Sequence, residues 1–273
     1  MARERHFAQV DVFSSEPFGG NPVAVVLDGE GLSTEEMQRF ANWTNLSETT
    51  FVLPPEADGA DYRVRIFTTE RELPFAGHPT LGTCHAWAGT AMPARVVQEC
   101  AAGLIEIRRT EHGFAFAAPP LIRSGPVEPS LQAGILADLD LDLDEADVAE
   151  MRWLANGPDW IGVLLHSADQ VLALEPVITA HDDIGVAAIR DDGEVEVRAF
   201  FATPQGFAED PVTGSLNAAL AGWLLESGRI TAPYVARQGT ALGRTGRVHV
   251  SQADGEVWVA GATTTSIAGT VTL

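Results

Sequence analysis

Lysine is missing from this chain altogether: its seventeen basic side chains are all arginine. That absence excludes a Schiff-base lysine, a covalently held pyridoxal phosphate and a P-loop lysine, each of which needs the amine. Cysteine is almost as scarce. Cys84 and Cys100 stand alone, without the number or spacing of a disulfide framework or a zinc site, and read as reduced, buried thiols. The seven histidines contain no i,i+4 pair and no HExxH, so no metal is expected. No GxGxxG follows a strand, and neither Ser47 nor Ser215 sits in a GxSxG elbow, which removes a dinucleotide cofactor and a serine hydrolase. Apolar runs stay below the roughly 18 residues a membrane span requires, and MARERHFAQVDVF has no signal-type apolar stretch. A cytoplasmic protein is the expectation.

Positive charge is also short. The formal net charge of -21 removes the basic footprint that nucleic acid or an anionic membrane surface would need. An acidic substrate would then have to be captured by local groups. What is present is a globular composition, 45% hydrophobic and 20% charged over 273 residues, enough for two units of ordinary size.

The chain repeats itself. Aligned without gaps, 75–89 and 207–221 place Phe75 on Phe207, Pro79 on Pro211, Gly82 on Gly214, Thr83 on Ser215 and His78 on Asp210. Upstream, VRIF (64–67) meets VRAF (197–200) after a one-residue slip. Each copy reads as a strand, a tight turn and a helix start, and a helix start attracts anions because its first N–H groups lack partners. Pro79 and Pro211 suit first helical positions, with Asp210 as a cap.

In order along the chain, 7–13 and 23–27 read as strands, and Ser33-Thr34-Glu35-Glu36 as a capping box opening a helix to Trp43. NLSETTFVL (45–53) is a polar corner entering a strand, and 62–66 alternates like a half-buried one. Leu81, Cys84, Trp87 and Ala88 form a helical stripe, and 95–99, 104–108 and 114–117 a meander. The proline-rich 117–129 reads as a linker, and acidic 138–147, which lacks the glycine of a calcium loop, as a solvated turn and helix start. The second half supplies strands at 162–165, 171–174, 184–189 and 195–199, a helix at 212–226 striped by Leu216, Leu220, Trp223 and Leu224, and closing strands at 248–251, 257–260 and 267–273. Many strands around one long helix per half make an α+β protein. The expected units are 1–118, to which 263–273 can return, and 130–262.

Three side chains carry possible chemistry: Glu48 in the polar corner, His78 at the first turn and Asp210 at the second. Each has a plain alternative, Glu48 as a surface carboxylate and the other two as helix caps. The symmetry of His78 and Asp210 weighs against coincidence, and Glu48, flanked by Leu46 and Phe51, is the best candidate for a buried acid–base. A two-thiol racemase fails on the repeat, since Cys84 aligns with Leu216.

GGNPVAVV (19–26), NLSETTFV (45–52), LPFAGHPTLG (73–82) and EDPVTGS (209–215) together resemble the phenazine-biosynthesis PhzF-like family of isomerases, nearly end to end. The resemblance implies two pseudo-symmetric lobes of the diaminopimelate-epimerase fold, each a sheet or barrel around a central helix, and a homodimer. It implies that Glu48 moves a proton between carbons of a small cyclic carboxylate held between the lobes, without metal or organic cofactor. His78 and Asp210 would assist, and helix-start amides around Gly77, Gly214 and Ser215 would hold the substrate carboxylate. A non-catalytic carboxylate binder of the same fold remains the alternative, with a ligand-free structural dimer behind it.

Overall fold

The computed structural model describes residues 2–141, 148–177, 183–203 and 206–273. Two compact units account for the chain, Met1–Ala117 with Ala260–Leu273, and Ala118–Val259. The first unit runs β1 (Glu4–Val12), β2 (Asn21–Val26), α1 (Thr34–Thr44), β3 (Glu48–Leu53), β4 (Tyr62–Phe67), β5 (Glu72–Leu73), α2 (Gly77–Ala88), β6 (Arg95–Cys100), β7 (Gly103–Thr110) and β8 (Gly113–Ala117). The second runs β9 (Arg123–Pro126), α3 (Pro129–Asp138), β10 (Val148–Ala155), β11 (Ile161–Leu165), α4 (Ala168–Ala173), β12 (Ile184–Ile189), β13 (Val195–Thr203), β14 (Gly206–Asp210), α5 (Gly214–Glu226), β15 (Tyr234–Gln238) and β16 (Gly246–Ala253). After β17 (Glu256–Gly261) the chain ends in β18 (Thr263–Thr272), which pairs antiparallel along β1 from Glu4↔Thr272 to Val12↔Thr263.

Pairing within the units follows one recipe. In the first, β1–β2 is antiparallel, β2–β3 parallel, β3–β4 and β4–β5 antiparallel, and β4–β6 parallel. In the second, β10–β11, β11–β12, β12–β13, β13–β14 and β13–β15 repeat those five relations in order. This mixed sheet with few helices is the α+β architecture expected from the sequence.

Side-chain volume sets where α2 lies. Leu81 and Cys84 are fully buried, and a Cβ on Gly82 would stand 2.4 Å from Cγ1 of Val23, so only glycine lets the helix rest on β2 at this distance. Trp87, expected in the same stripe, is 36% exposed. Nearby, Val26, Met37, Phe40, Phe51 and Phe67 form a second apolar cluster, with the Phe51 and Phe67 rings edge to face at 5.6 Å. In the other unit Ile135, Val163, Val171, Ile184, Val186 and Phe200 are packed together. Helix α5 is buried on several sides, at Leu216, Ala218, Ala219, Leu220 and Trp223, which explains the apolar composition of its sequence.

The repeat is real, but its register differs from the ungapped alignment. Phe67 faces Glu72 across β4–β5, and Phe200 faces Glu209 across β13–β14. Arg65 grips Glu72 with two hydrogen bonds and lies 5.0 Å from the Phe67 ring; Arg198 grips Glu209 likewise, 4.9 Å from Phe200. Anchored there, ELPFAGH lies on EDPVTGS: Leu73 matches Asp210, Gly77 matches Gly214, and His78 matches Ser215 rather than Asp210. Cys84 then meets Ala221, again with no second sulfur. The cause is hairpin length, since Phe67 to Glu72 spans five steps and Phe200 to Glu209 nine.

Four local expectations are corrected. Pro79 is the third residue of α2 and Pro211 precedes α5, so neither is at a first helical position, and the N-cap of α5 is Thr213 rather than Asp210. The proposed linker at 117–129 contains β9, which pairs with β10, and ends where Pro129 opens α3. Asp138 closes that helix and is buried, where a solvated helix start was expected; positions 142–147 lie outside the described residues, as does His181. Residues 171–174, read as a strand, largely belong to α4, whose capping box joins Ser167 to Gln170.

Candidate active site

Glu48 opens β3 beside Val23 of β2, and His78 is the second residue of α2. Buried hydroxyls pin these elements to one another. Thr83 of α2 donates to Thr50 at 2.8 Å, Thr50 donates to the Ala24 carbonyl at 3.3 Å, and the Thr44 and Thr49 hydroxyls meet at 2.9 Å. Gln98, wholly buried on β6, takes the Tyr62 hydroxyl at 2.9 Å and donates to Thr80 in the first turn of α2 at 3.0 Å. None of these is recognisable in the sequence, because partners such as Thr50 and Thr83 are 33 positions apart.

This scaffold brings two of the expected residues together. Nε2 of His78 lies 3.3 Å from Oε2 of Glu48, with the side chains 5% and 15% exposed. Asn21 approaches Nδ1 of the ring at 3.4 Å, and the Pro22 carbonyl accepts a hydrogen bond from it. Burial outweighs that bond and lowers the imidazole to about 3, so His78 is neutral at physiological pH. The ring beside Glu48 is thus uncharged. Gly77 begins α2 directly before His78, and the N-cap Ala76 offers no side chain to the first amides.

Neutral burial of His78 has a consequence for stability. Its ordinary value of 6.5 applies to the unfolded chain, so between about 6.5 and 3 the unfolded state binds a proton that the folded state refuses. The contribution is whole above 6.5 and is lost as pH falls, at about 1.4 kcal/mol per pH unit. In urea titrations at pH 7 and pH 5, a His78→Gln variant is expected to lose less stability on acidification than the parent. An identical loss in both proteins would show that His78 does not drive it.

The other expected residues form a second cluster. Asp210 ends β14, where its Oδ2 accepts the Thr213 hydroxyl at 2.6 Å, and Gly214 begins α5. The hydroxyl of Ser215 accepts from the Trp160 indole at 3.1 Å, while its carbonyl accepts from Asn156 at 2.8 Å. Asn156 and Trp160 flank the β10–β11 turn and were not anticipated.

The thiols are unsuited to chemistry. Burial pushes Cys84 up to about 12 and raises Cys100 as well, so neither is a thiolate near neutrality. Among the described residues no group of three or more His, Cys, Asp or Glu is placed to hold a metal. No described helix is long and apolar enough to cross a membrane. Two grooves of the first unit, about 420 Å³ beside Arg63 and Arg65 and about 780 Å³ beside His6 and His85, include neither Glu48 nor His78.

Known proteins resemble this chain over most of its length. The family described as phenazine biosynthesis-like protein matches residues 10–269. The chain belongs to that family. It is 38% identical over 261 residues to antisense-enhancing sequence 1 of Schizosaccharomyces pombe, covering 88% of each chain. It is 36% identical over 252 residues to trans-2,3-dihydro-3-hydroxyanthranilate isomerase of Pseudomonas aeruginosa, covering 89% of this chain and 88% of that one. The crystal structure of the Bacillus anthracis phenazine biosynthesis protein of the PhzF family superimposes with a TM-score of 0.83 at 24% identity, over 98% of this chain and 99% of that one. The chain is an enzyme of the isomerase type.

Proposed function

We propose that the enzyme moves a proton between two carbons of a small cyclic carboxylate, with Glu48 as the sole carrier. The observation that carries this reading is the buried Glu48–His78 contact at 3.3 Å. A carboxylate partly screened from water beside a neutral ring can take a proton from carbon and return it. Glu48 removes hydrogen from one carbon of an allylic unit, the double bond shifts, and the protonated carboxyl, whose proton exchanges with solvent, delivers a proton to the far carbon. Substrate and product are then isomers, and Glu48 ends as it began. No external oxidant, reductant or cofactor enters that balance.

Neutral His78 gives its one N–H to the Pro22 carbonyl and turns a bare Nε2 toward Glu48 at 3.3 Å, where it can accept only from the protonated carboxyl. The other candidates for contact with the substrate are Asp210 and the amides that open α2 at Gly77 and α5 at Gly214 and Ser215. The Pseudomonas relative's name supplies the first compound to try, trans-2,3-dihydro-3-hydroxyanthranilate, itself a cyclic carboxylate.

The test is a turnover screen of that compound and other cyclic carboxylates, followed by NMR and paired with thermal unfolding. Conversion of at least one compound to an isomer of equal mass is expected. Compounds that raise the unfolding temperature without any conversion would instead make the protein a binder.

A further inference from the structure

We propose that Thr213 and Gln238 form a relay that fixes the orientation of the Asp210 carboxylate by holding its Oδ2 as an acceptor. The inference rests on the reading that Asp210 meets the substrate, and makes Thr213 and Gln238 positioning residues for it.

The direction of the relay follows from groups that cannot change role. Gln238 is wholly buried at the end of β15. One end of its amide faces the backbone N–H of Thr213 at 2.9 Å, which can only donate, so that end is Oε1. The other faces the carbonyl of Asp210 at 3.0 Å, which can only accept, so that end is Nε2. The second hydrogen of Nε2 then points to the Thr213 hydroxyl at 2.9 Å. With its oxygen already accepting, Thr213 directs its one hydroxyl proton to Oδ2 of Asp210 at 2.6 Å. Asn217 completes the set, donating to Oε1 at 2.8 Å and to the Thr213 carbonyl at 2.9 Å. All four hydrogen-bonding positions of the Gln238 amide are used.

Two features separate this from ordinary helix capping. Thr213 is the N-cap of α5, yet its hydroxyl makes no bond to the helix amides. Threonine at that position normally stabilises the helix through such a bond; here it serves Asp210 and leaves the amides to another acceptor. The backbone beside Gln238 is also pressed against the Asp-Pro turn: a Cβ on Gly239 would lie 2.6 Å from the Pro211 carbonyl, and Gly239 has φ +86. Only glycine admits that approach, which brings the amide within reach.

The test uses the whole protein in two arms. Without substrate, proton NMR of the parent should show a slowly exchanging, downfield hydroxyl resonance of Thr213 that is lost in Thr213→Val. Its absence from the parent overturns the relay. With whichever cyclic carboxylate the parent isomerises, Thr213→Val should lower kcat about 10- to 100-fold while KM stays within about threefold, and Thr213→Ser should restore kcat to within about threefold. If Thr213→Val does not fold, Gln238→Glu replaces the donor at Nε2 by an acceptor, draws the hydroxyl away from Asp210, and should show the same kcat loss. A kcat left unchanged, or equally poor serine and valine variants, would contradict the proposal. Failure of the parent to isomerise any compound would overturn the proposed function instead, leaving the NMR arm to decide the relay.

Discussion

Glu48→Gln is expected to lower kcat by about 10²- to 10⁴-fold, equivalent to roughly 3–5 kcal/mol of barrier, with little change in stability or substrate affinity. The amide has the shape of the carboxyl but cannot take up and release a proton near neutrality. His78 cannot substitute, because burial holds it at about 3 and the ring stays neutral without becoming a strong acid or base. The thiols cannot substitute either, with Cys84 raised to about 12. Steady-state rates of the purified variant on a confirmed substrate check this, alongside its unfolding temperature. Near-parental turnover would remove Glu48 from the chemistry while leaving the fold intact.

The largest stability effect is expected at Arg198. Its guanidinium forms two hydrogen bonds to Glu209 at 3.0 and 2.8 Å and two more to the carbonyls of Val171 and Leu174, with side chains 7% and 9% exposed in the ion pair. Arg198→Met would strand a buried carboxylate and two carbonyls, at about 3–5 kcal/mol. Removing both charges, as in Arg198→Met with Glu209→Leu, should recover much of that loss, since a buried pair repays its desolvation only in part. The matching Arg65–Glu72 pair is a built-in control. Its side chains are 24% and 34% exposed, so Arg65→Met should cost no more than about 1 kcal/mol. Urea unfolding of the three variants measures the contrast. Equal losses at Arg65 and Arg198 would mean that burial does not distinguish the two copies.

The sequence carried the architecture where local chemistry was strong. Ser33 with Glu36 announced α1, the apolar faces of α2 and α5 announced buried helices, and the alternation at 62–66 announced β4. It also carried both clusters, because Glu48, His78, Asp210, Gly214 and Ser215 sit in short contiguous stretches. What it concealed was spatial. A hairpin four residues longer in the second half shifted the repeat, so an ungapped comparison paired His78 with Asp210 when backbone register pairs it with Ser215. Helix α4 is a six-residue element whose apolar Val171 and Leu172 read equally well as a strand, and only the Ser167–Gln170 box distinguishes it. Gln238 is invisible as a partner of Thr213 at a distance of 25 positions, and Gln98 as a partner of Thr80 at 18. Uncharged residues that make every one of their bonds inside the protein leave no trace in composition or periodicity.

The most direct measurement of single-carboxyl proton transfer is isotopic. Chelator-treated enzyme is run to partial conversion in D₂O, and proton NMR locates the label in the isomerised product. Deuterium at the carbon that receives hydrogen, formed by the parent and lost together with turnover in Glu48→Gln, is the expected result. A Glu48→Gln enzyme that still delivers deuterium to that carbon at the parental rate would contradict the central role of Glu48.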